Sequence, residues 1–559
     1  MRLSGFQAFP AAPPAILAAA LLFLYLSGNW WMSLWDRDEP RYAVATREML
    51  ASGDFIVPTF NGRLRFDKPP MTYWLMAPPV ALLGPDDFSV RLAQALFGVA
   101  SALLLYCLAR RMGADRGGAL VAMGAFGLAT LHVVTHKAST TDSFLVFSVV
   151  AAFSLLWELR RSARWGHALA LGAVLGFSIL VKGPPGPLVV GLAALAIWVW
   201  EWRLRGSTGH AGEASLSGGA VAARAAACVG VAVLVAAPWA VAVQLRTLGH
   251  PEGDFLSTAI GRHVVHRATA PKEGHTGPFF YYLLVLPAVA FPFAALFLSG
   301  ARRIFSDLRG DVRARFLAGW FIPGFVVFSA VVTKLPHYVA PLLPALALGA
   351  GLWWSGDRSE PRWCARAGAL LTGVVGVGGG LGLAAATFFV DIGAAAWPAR
   401  LAGLLLAGGA ALGARHWWRG GHAPALRAWA GAHVAALLVV FYAGMPLLEP
   451  LRPGKPVTAW LRANAPAGVE LAATQYQEPS LVFYWGGRIE MIGAKRWEDG
   501  RAFLRGEGPR ALLMPERTLA SWTKNWGGKI PEGISVKFTG DYYDFQKGGE
   551  LRLHILGNW

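Results

Sequence analysis

The residues best suited to chemistry lie in one polar stretch, residues 35–73, of a chain that is otherwise strongly apolar. Three acids, Asp36, Asp38 and Glu39, stand together near its start. They directly precede a segment, residues 42–51, that has the pattern of a short helix. Acids are favourable at a helix N-terminus, so a helix-start role and a catalytic role are both open here.

Lone lysines recur in loops that otherwise carry few charges. Lys68 is followed by two prolines, and Lys182 and Lys334 each stand in a further short loop rich in proline. Each could bind a phosphate or extend to lipid headgroups, and the three together could converge on one anion. Asp142 opens an apolar segment, where a carboxylate is costly enough to suggest a site, although a helix cap is equally supported.

A second polar loop contains His263, His266 and Arg267. Asp67 and His263 are weak candidates for a metal site, since no helical H-x-x-x-H pattern accompanies them. No phosphate-binding loop, dinucleotide fingerprint or G-x-S-x-G motif occurs, so nucleotide-driven chemistry is not supported.

The rest of the chain indicates the elements that hold these residues. Of 559 residues, 55% are hydrophobic and only 15% charged, and the mean hydropathy is +0.43. A soluble domain carries about 25% charged residues, so the chain is predicted to be an integral membrane protein. Its net charge of +18 falls in short loops between apolar segments and therefore does not predict nucleic-acid binding. The cysteines, Cys107, Cys228 and Cys364, lack metal or disulfide spacing.

About thirteen apolar segments approach the ~20 residues needed to cross a bilayer. Arginines concentrate in alternate loops, which predicts that those loops are cytoplasmic. The first loop (35–91), the 246–277 loop and the chain after 450 would then face outward. The expected segments are 11–34, 92–109, 117–135, 143–158, 166–181, 185–200, 225–245, 278–299, 315–333, 338–355, 367–389, 399–417 and 429–448.

Residues 450–559 contain no apolar segment of spanning length. Short apolar runs at 469–473, 510–514, 534–538 and 551–556 alternate with helical patterns, which predicts a small α/β domain outside the membrane. Residues 1–449 would form the transmembrane catalytic domain.

Five separated motifs together resemble one known family. They are D-E-P-R-Y-A with R-E-M-L and G-D-F-I-V-P, D-K-P-P with Y-W, T-T-D, K-G-P-P-G, and K-L-P-H-Y. In this order they are similar to the bacterial branch of the protein O-mannosyltransferase superfamily, and most like its 4-amino-4-deoxy-L-arabinose lipid A transferases and related undecaprenyl-phosphate-dependent enzymes.

The resemblance implies a GT-C fold in the bacterial inner membrane, with the active site and C-terminal domain in the periplasm. It implies an inverting glycosyltransferase that takes a sugar from a polyprenyl phosphate and passes it to an envelope acceptor, most like lipid A. No cofactor is then required, although a divalent metal stays open. By position the resemblance assigns catalytic roles to Asp38 and Asp142, and donor-phosphate or substrate contacts to Arg41, Lys68, Lys182, Arg267 and Tyr338.

Two positions differ from or vary within that group: Asp67 stands where the arabinosyl transferases usually have Glu, and His337 occupies a variable position. Transfer to protein hydroxyls is an alternative within the same superfamily. A lipid-linked sugar flippase or a structural membrane protein would share the helices but would not require Asp38, Lys68 and Asp142 together.

Overall fold

The computed structural model describes residues 14–204, 217–258, 276–545 and 547–559, and most of these residues are helical. The segments predicted to span the membrane form long apolar helices joined by short loops. In chain order the helices before the C-terminal region are α1 (Pro14–Leu26), α2 (Asp38–Ser52), α3 (Met71–Leu83), α4 (Ser89–Arg111), α5 (Arg116–Leu128), α6 (Thr130–Lys137), α7 (Asp142–Ser162), α8 (Trp165–Lys182), α9 (Pro185–Leu204), α10 (Gly218–Thr247), α11 (Tyr281–Val289), α12 (Ala294–Ser306), α13 (Val312–Ala330), α14 (Leu343–Ser355), α15 (Arg362–Ala386), α16 (Ala396–Trp418) and α17 (His422–Val439).

In the part of the chain that the structure describes, ten helices are long and apolar enough to cross a membrane. Counting α5 and α6, which are bent by 59° at their junction, as one broken span gives up to eleven. The protein is therefore a multi-pass membrane protein. Three of the thirteen expected segments differ in form: α1 has 13 residues, the 117–135 segment is divided between α5 and α6, and the 278–299 segment is divided between α11 and α12. The number of spans stays a prediction.

The first loop contains α2, a two-stranded hairpin of β1 (Thr59–Phe60) and β2 (Arg63–Leu64), and α3. Helix α2 begins four residues before the predicted 42–51 segment, because the acids and Pro40 are compatible with its first turn. It ends as predicted at Gly53, whose φ of 71° is left-handed and whose N–H donates to the Met49 carbonyl.

After the last long helix, the C-terminal sheet region (residues 450–559) forms the predicted α/β structure. Its strands are β3 (Glu470–Thr474), β4 (Ile489–Ile492), β5 (Arg510–Pro515), β6 (Ser535–Asp544) and β7 (Gly549–Gly557), and its helices are α18 (Gly454–Asn464), α19 (Pro479–Trp485), α20 (Trp497–Leu504) and α21 (Glu516–Asn525). The five strands lie in the order β4-β3-β5-β7-β6, with β3 parallel to β4 and β5, and β7 antiparallel to β5 and β6. The sequence did not predict β4 or α21.

The first loop packs on this sheet region rather than standing alone. Buried side chains of α2 and α3, among them Tyr42 and Tyr73, share one apolar core with Leu481 and Val482 of α19. The Asn61 side chain of the hairpin exchanges hydrogen bonds with both the N–H and the carbonyl of Ile489, at 2.9 and 2.8 Å, and so occupies the β4 edge. The loop is thereby held by apolar and polar contacts together.

Candidate active site

Asp142 and Lys182 form the central ion pair of the candidate site. Asp142 is the first residue of α7 and Lys182 the last of α8, so these antiparallel neighbours bring both side chains to the same end of the bundle. The Lys182 ammonium donates to Asp142 Oδ1 at 2.5 Å, with side-chain exposures of 13% and 17%. Thr141, not Asp142, is the N-cap residue of α7, and the Asp142 carboxylate is instead paired with a cation.

Tyr338 and His337 border this pair from the 3-10 helix Pro336–Leu342. The Lys182 ammonium lies 5.8 Å from the centre of the Tyr338 ring, a cation–π distance. The His337 ring meets Tyr338 edge-on, with ring centres 5.0 Å apart. The K-L-P-H-Y motif is therefore brought against Lys182, although the two motifs are far apart in the chain.

The first-loop candidates converge on the same place. Asp38 begins α2 and is exposed, whereas Lys68 precedes α3 and is half-buried. His337 interacts electrostatically with both, as well as with Asp142 and Lys182. Lys68 also contributes to the potential at Asp142. Four of the predicted site residues thus lie within electrostatic range of one imidazole.

A buried tyrosine, Tyr42, also interacts with these site residues. Tyr42 interacts electrostatically with Asp38 and Asp142, and the Arg65 guanidinium lies 5.4 Å from the centre of its ring. Arg65 also donates to Asp67 at 2.8 Å. Neither Tyr42 nor Arg65 was predicted as a site residue. Arg65 could have drawn attention as a second cation three residues before Lys68.

Arg41 was predicted to act beside Asp38. In the structure it interacts electrostatically with Asp36. Asp36 in turn faces the C-terminal sheet region: it accepts from the Ser480 N–H at 2.8 Å and from the Ser480 hydroxyl at 2.6 Å. Burial raises the pKa of the Asp36 carboxyl more than these bonds and Arg452 lower it. Asp36 therefore joins the loop to the sheet region, and Arg41, three residues after Asp38, interacts with this contact.

Glu39 is an anchor rather than a member of the charge cluster. Its carboxylate accepts two bonds from Arg91 at 2.8 and 2.6 Å, and one each from the backbone N–H groups of Ser139 and Trp35 at 2.7 Å. Burial alone would raise the pKa of Glu39, but Arg91 and the hydrogen bonds outweigh it and hold the pKa below its ordinary 4.5. Glu39, the residue after Asp38, is thereby hydrogen-bonded to the turn that precedes Asp142.

Lys334 does not join the other two lysines, and the predicted convergence of three is wrong for this residue. Its ammonium donates to the carbonyls of Phe328, at 3.3 Å, and Ser329, at 2.5 Å, and also to that of Val331. These carbonyls end α13, where a helix leaves acceptors without intrahelical partners. Lys334 is a helix C-terminal cap, which its position in a short loop could not reveal.

Arg267 and His263 lie outside the described residues. Within the described ranges, no group of three or more His, Cys, Asp or Glu side chains is arranged to hold a metal ion. Asp67, the other weak candidate for a metal ligand, is paired with Arg65.

Comparison with known proteins places this arrangement in context. Residues 15–250 match the family described as dolichyl-phosphate-mannose-protein mannosyltransferase. A Pectobacterium carotovorum protein named undecaprenyl phosphate-alpha-4-amino-4-deoxy-L-arabinose arabinosyl transferase is 30% identical over 348 residues, which cover 61% of this chain and 58% of that protein. A Pseudomonas paraeruginosa protein of the same name is 31% identical over 341 residues, covering 60% of this chain and 58% of that protein. The aligned part thus spans somewhat more than half of these relatives.

Solved structures extend the likeness to the whole fold. The crystal structure of ArnT from Cupriavidus metallidurans bound to undecaprenyl phosphate superposes with a TM-score of 0.76 and 22% identity, covering 98% of this chain and 97% of that one. Its apo structure gives a TM-score of 0.74. The chain therefore has the fold of these ArnT structures, a polytopic helical membrane fold with a small C-terminal sheet region, as expected. Its resemblance in sequence to the aminoarabinose transferases is confirmed.

Proposed function

We propose that this protein is an inverting glycosyltransferase that moves a sugar from a polyprenyl phosphate to an acceptor in the bacterial cell envelope. The observation that carries the proposal is the convergence of Asp38, Lys68, Asp142 and Lys182 from four separate elements at one end of the helix bundle. A scaffold protein has no need to gather two carboxylates and two ammonium groups beside a membrane, where each is costly.

The cations suit a lipid phosphate donor. Lys68 and Lys182, with Arg41, Arg267 and Tyr338, would bind the donor phosphate and stabilise the charge that grows on it. Helix α3, which follows Lys68, borders an apolar cavity of about 460 Å³ together with α4. This apolar surface would suit the tail of a polyprenyl phosphate, while the lysines would bind its phosphate group.

The chemistry follows from the charges. The acceptor oxygen forms a bond to the anomeric carbon while the bond from that carbon to the donor phosphate oxygen breaks. Asp38, the exposed carboxylate, would take the proton of an acceptor hydroxyl or, with an anionic acceptor, stabilise the cationic sugar of the transition state. Asp142 would keep Lys182 charged and directed at the phosphate. The energy comes from the donor bond, so no nucleotide is consumed.

The curated relatives are named for transfer of aminoarabinose from undecaprenyl phosphate, which favours that sugar as the donor group. Lipid A as the acceptor follows from the family resemblance. Transfer to protein hydroxyls is the second possibility within the same chemistry. We further propose that the membrane is the bacterial inner membrane, with the site and a C-terminal domain of residues 450–559 on the periplasmic side, since the arginine-rich loops predict the cytoplasmic side. A divalent metal involving Asp67 and His263 stays an open part of the proposal.

The direct test is reconstitution. Purified protein would be incubated with undecaprenyl phosphate-4-amino-4-deoxy-L-arabinose and lipid A, and the product identified by mass spectrometry. We expect lipid A to gain one aminoarabinose, and Asp142→Asn and Lys182→Met each to abolish most transfer. Lys524→Met, an exposed lysine of α21, serves as the matched control and should transfer at the parent rate.

Two results would contradict the proposal. One is translocation of the labelled lipid-linked sugar across vesicles by a protein that transfers nothing, which would make it a flippase. The other is transfer at the parent rate by both Asp142→Asn and Lys182→Met.

A further inference from the structure

His337 is the one histidine of the described site, and the family resemblance assigns it no role. It begins the 3-10 helix with Pro336, is half-buried, and packs edge-on against Tyr338. Through Tyr338 it is one side chain away from Lys182. Its imidazole interacts electrostatically with both site carboxylates and both site lysines, so the charge of a group bound among them would act on His337.

We propose that His337 is a substrate-binding residue whose protonated imidazole donates a hydrogen bond to the phosphate of the lipid carrier. This inference rests on the proposed function and adds to it a phosphate ligand whose charge changes near neutral pH. Lysine and arginine ligands stay charged at any physiological pH, whereas an imidazole gains or loses its proton there. Phosphate binding by this chain would then depend on pH through His337.

The change in charge of the lipid phosphate during the reaction gives His337 a role. The donor phosphate is a diester with one negative charge, and the departing lipid phosphate is a monoester with room for a second. An imidazolium beside it stabilises the second charge as the carbon–oxygen bond breaks. With a hydroxyl acceptor, the proton released by the acceptor ends on the lipid phosphate, so the overall step is balanced without any other reactant.

The surroundings of His337 set the sign of its pH dependence. Burial disfavours the imidazolium most; among the charges, Asp142 and Asp38 favour it and Lys182 and Lys68 oppose it. A bound phosphate adds negative charge and shifts the balance toward the protonated form. The titratable or charged groups on the elements around it are Asp142 on α7, Lys182 on α8, Asp38 and Lys68 of the first loop, His136 on α6, which interacts with Asp142, Tyr338 beside it, Tyr282 on α11, whose hydroxyl donates to the Leu335 carbonyl, and Lys334, which caps α13.

The experiment measures binding of undecaprenyl phosphate to the purified full-length protein between pH 6 and pH 8. We expect the affinity of the parent, relative to that of His337→Phe, to fall as the pH rises, because the imidazolium is lost; the second ionisation of the lipid phosphate affects both proteins alike and cancels in this ratio. His337→Phe keeps a ring but no donor, and at pH 6 it should bind about tenfold more weakly, the effect of one charge-assisted hydrogen bond. His337→Gln keeps an N–H donor and should bind between the two, without the pH step due to the imidazole.

His167→Phe is the control, since His167 bonds to Ser162 at the opposite end of α7, and its binding should follow the parent. An identical pH profile for the parent and His337→Phe, with normal protein stability, would overturn the role of His337 alone. Failure of the parent to bind undecaprenyl phosphate at any pH would instead overturn the proposed function, and this inference with it.

Discussion

Replacing Glu39 with Gln tests whether a buried ion pair holds the first loop in place. Glu39 is 4% exposed and Arg91 fully buried. The two carboxylate oxygens accept four N–H bonds, two from Arg91 and one each from Ser139 and Trp35. An amide has one accepting oxygen, so its NH₂ group would face two of these donors, and Arg91 would lose the carboxylate that is hydrogen-bonded to it.

Removing one partner of a buried pair in this way costs about 3–5 kcal/mol. We therefore expect Glu39→Gln to lower the free energy of unfolding by that amount, measured from the tryptophan fluorescence of the detergent-solubilised protein during denaturation. Glu48→Gln is the matched control on the same helix. Glu48 accepts from neutral donors, the Thr59 hydroxyl and the N–H groups of Asn61 and Gly62, so its change should cost about 1 kcal/mol.

The pH dependence adds an independent check. The pKa of Glu39 lies below its ordinary 4.5 in the folded protein, so its contribution to stability is present above pH 4.5 and lost as the pH falls through the folded pKa. The difference between parent and Glu39→Gln should narrow in that acidic range. If Glu39→Gln were as stable as Glu48→Gln at neutral pH, the ion pair would not anchor the loop.

Three further predictions concern the site and its supports. Asp38→Asn should insert normally but transfer at a rate at least ~100-fold below the parent in the reconstituted assay; near-parent activity would leave Asp38 a helix-start residue, which Asn can replace. Lys334→Met should lower the free energy of unfolding by about 1–3 kcal/mol and leave undecaprenyl phosphate binding unchanged. Loss of binding without loss of stability would contradict the role of Lys334 as a helix cap. Asp36→Asn, which weakens the contact with Ser480, should hasten proteolytic cleavage within the C-terminal sheet region, and unchanged cleavage would mean that the apolar core alone holds it.

The fold was largely predictable because apolarity and length determine which segments cross a membrane. Helix α2 and the strands β3, β5, β6 and β7 also followed from local patterns of acids, glycine and short apolar runs. The breaks at the α5–α6 bend and between α11 and α12 were not predictable, since each depends on packing against neighbouring helices. The same holds for the contact of α2 with α19, in which Arg47 donates to the Phe483 carbonyl, more than 400 positions away in the chain.

The lysines show why the site was only partly predictable. Lys182 and Lys334 both stand in short proline-rich loops, yet one pairs with Asp142 and the other caps α13. Lys137, the last residue of α6, donates to the carbonyls of Tyr25 and Ser27. The three lysines differ in the hydrogen-bond acceptor that lies nearest in space. Lys182 is paired with a carboxylate of the site, whereas Lys334 and Lys137 are bound by carbonyl groups at helix ends.

Asp38 and Glu39 show the same division within two neighbouring residues. Both are acids at the start of α2, but the helix directs Glu39 into the protein, where Arg91 neutralises it, and leaves Asp38 exposed beside His337 and Lys68. Glu39 also binds the Ser139 N–H, three residues before Asp142. One carboxylate therefore fixes the distance between the two candidate catalytic acids, and it does so without entering the site. Weakening the Glu39–Arg91 pair would change the distance between Asp38 and Asp142 without altering either side chain. The stability of this buried pair is therefore linked to the geometry on which transfer would depend.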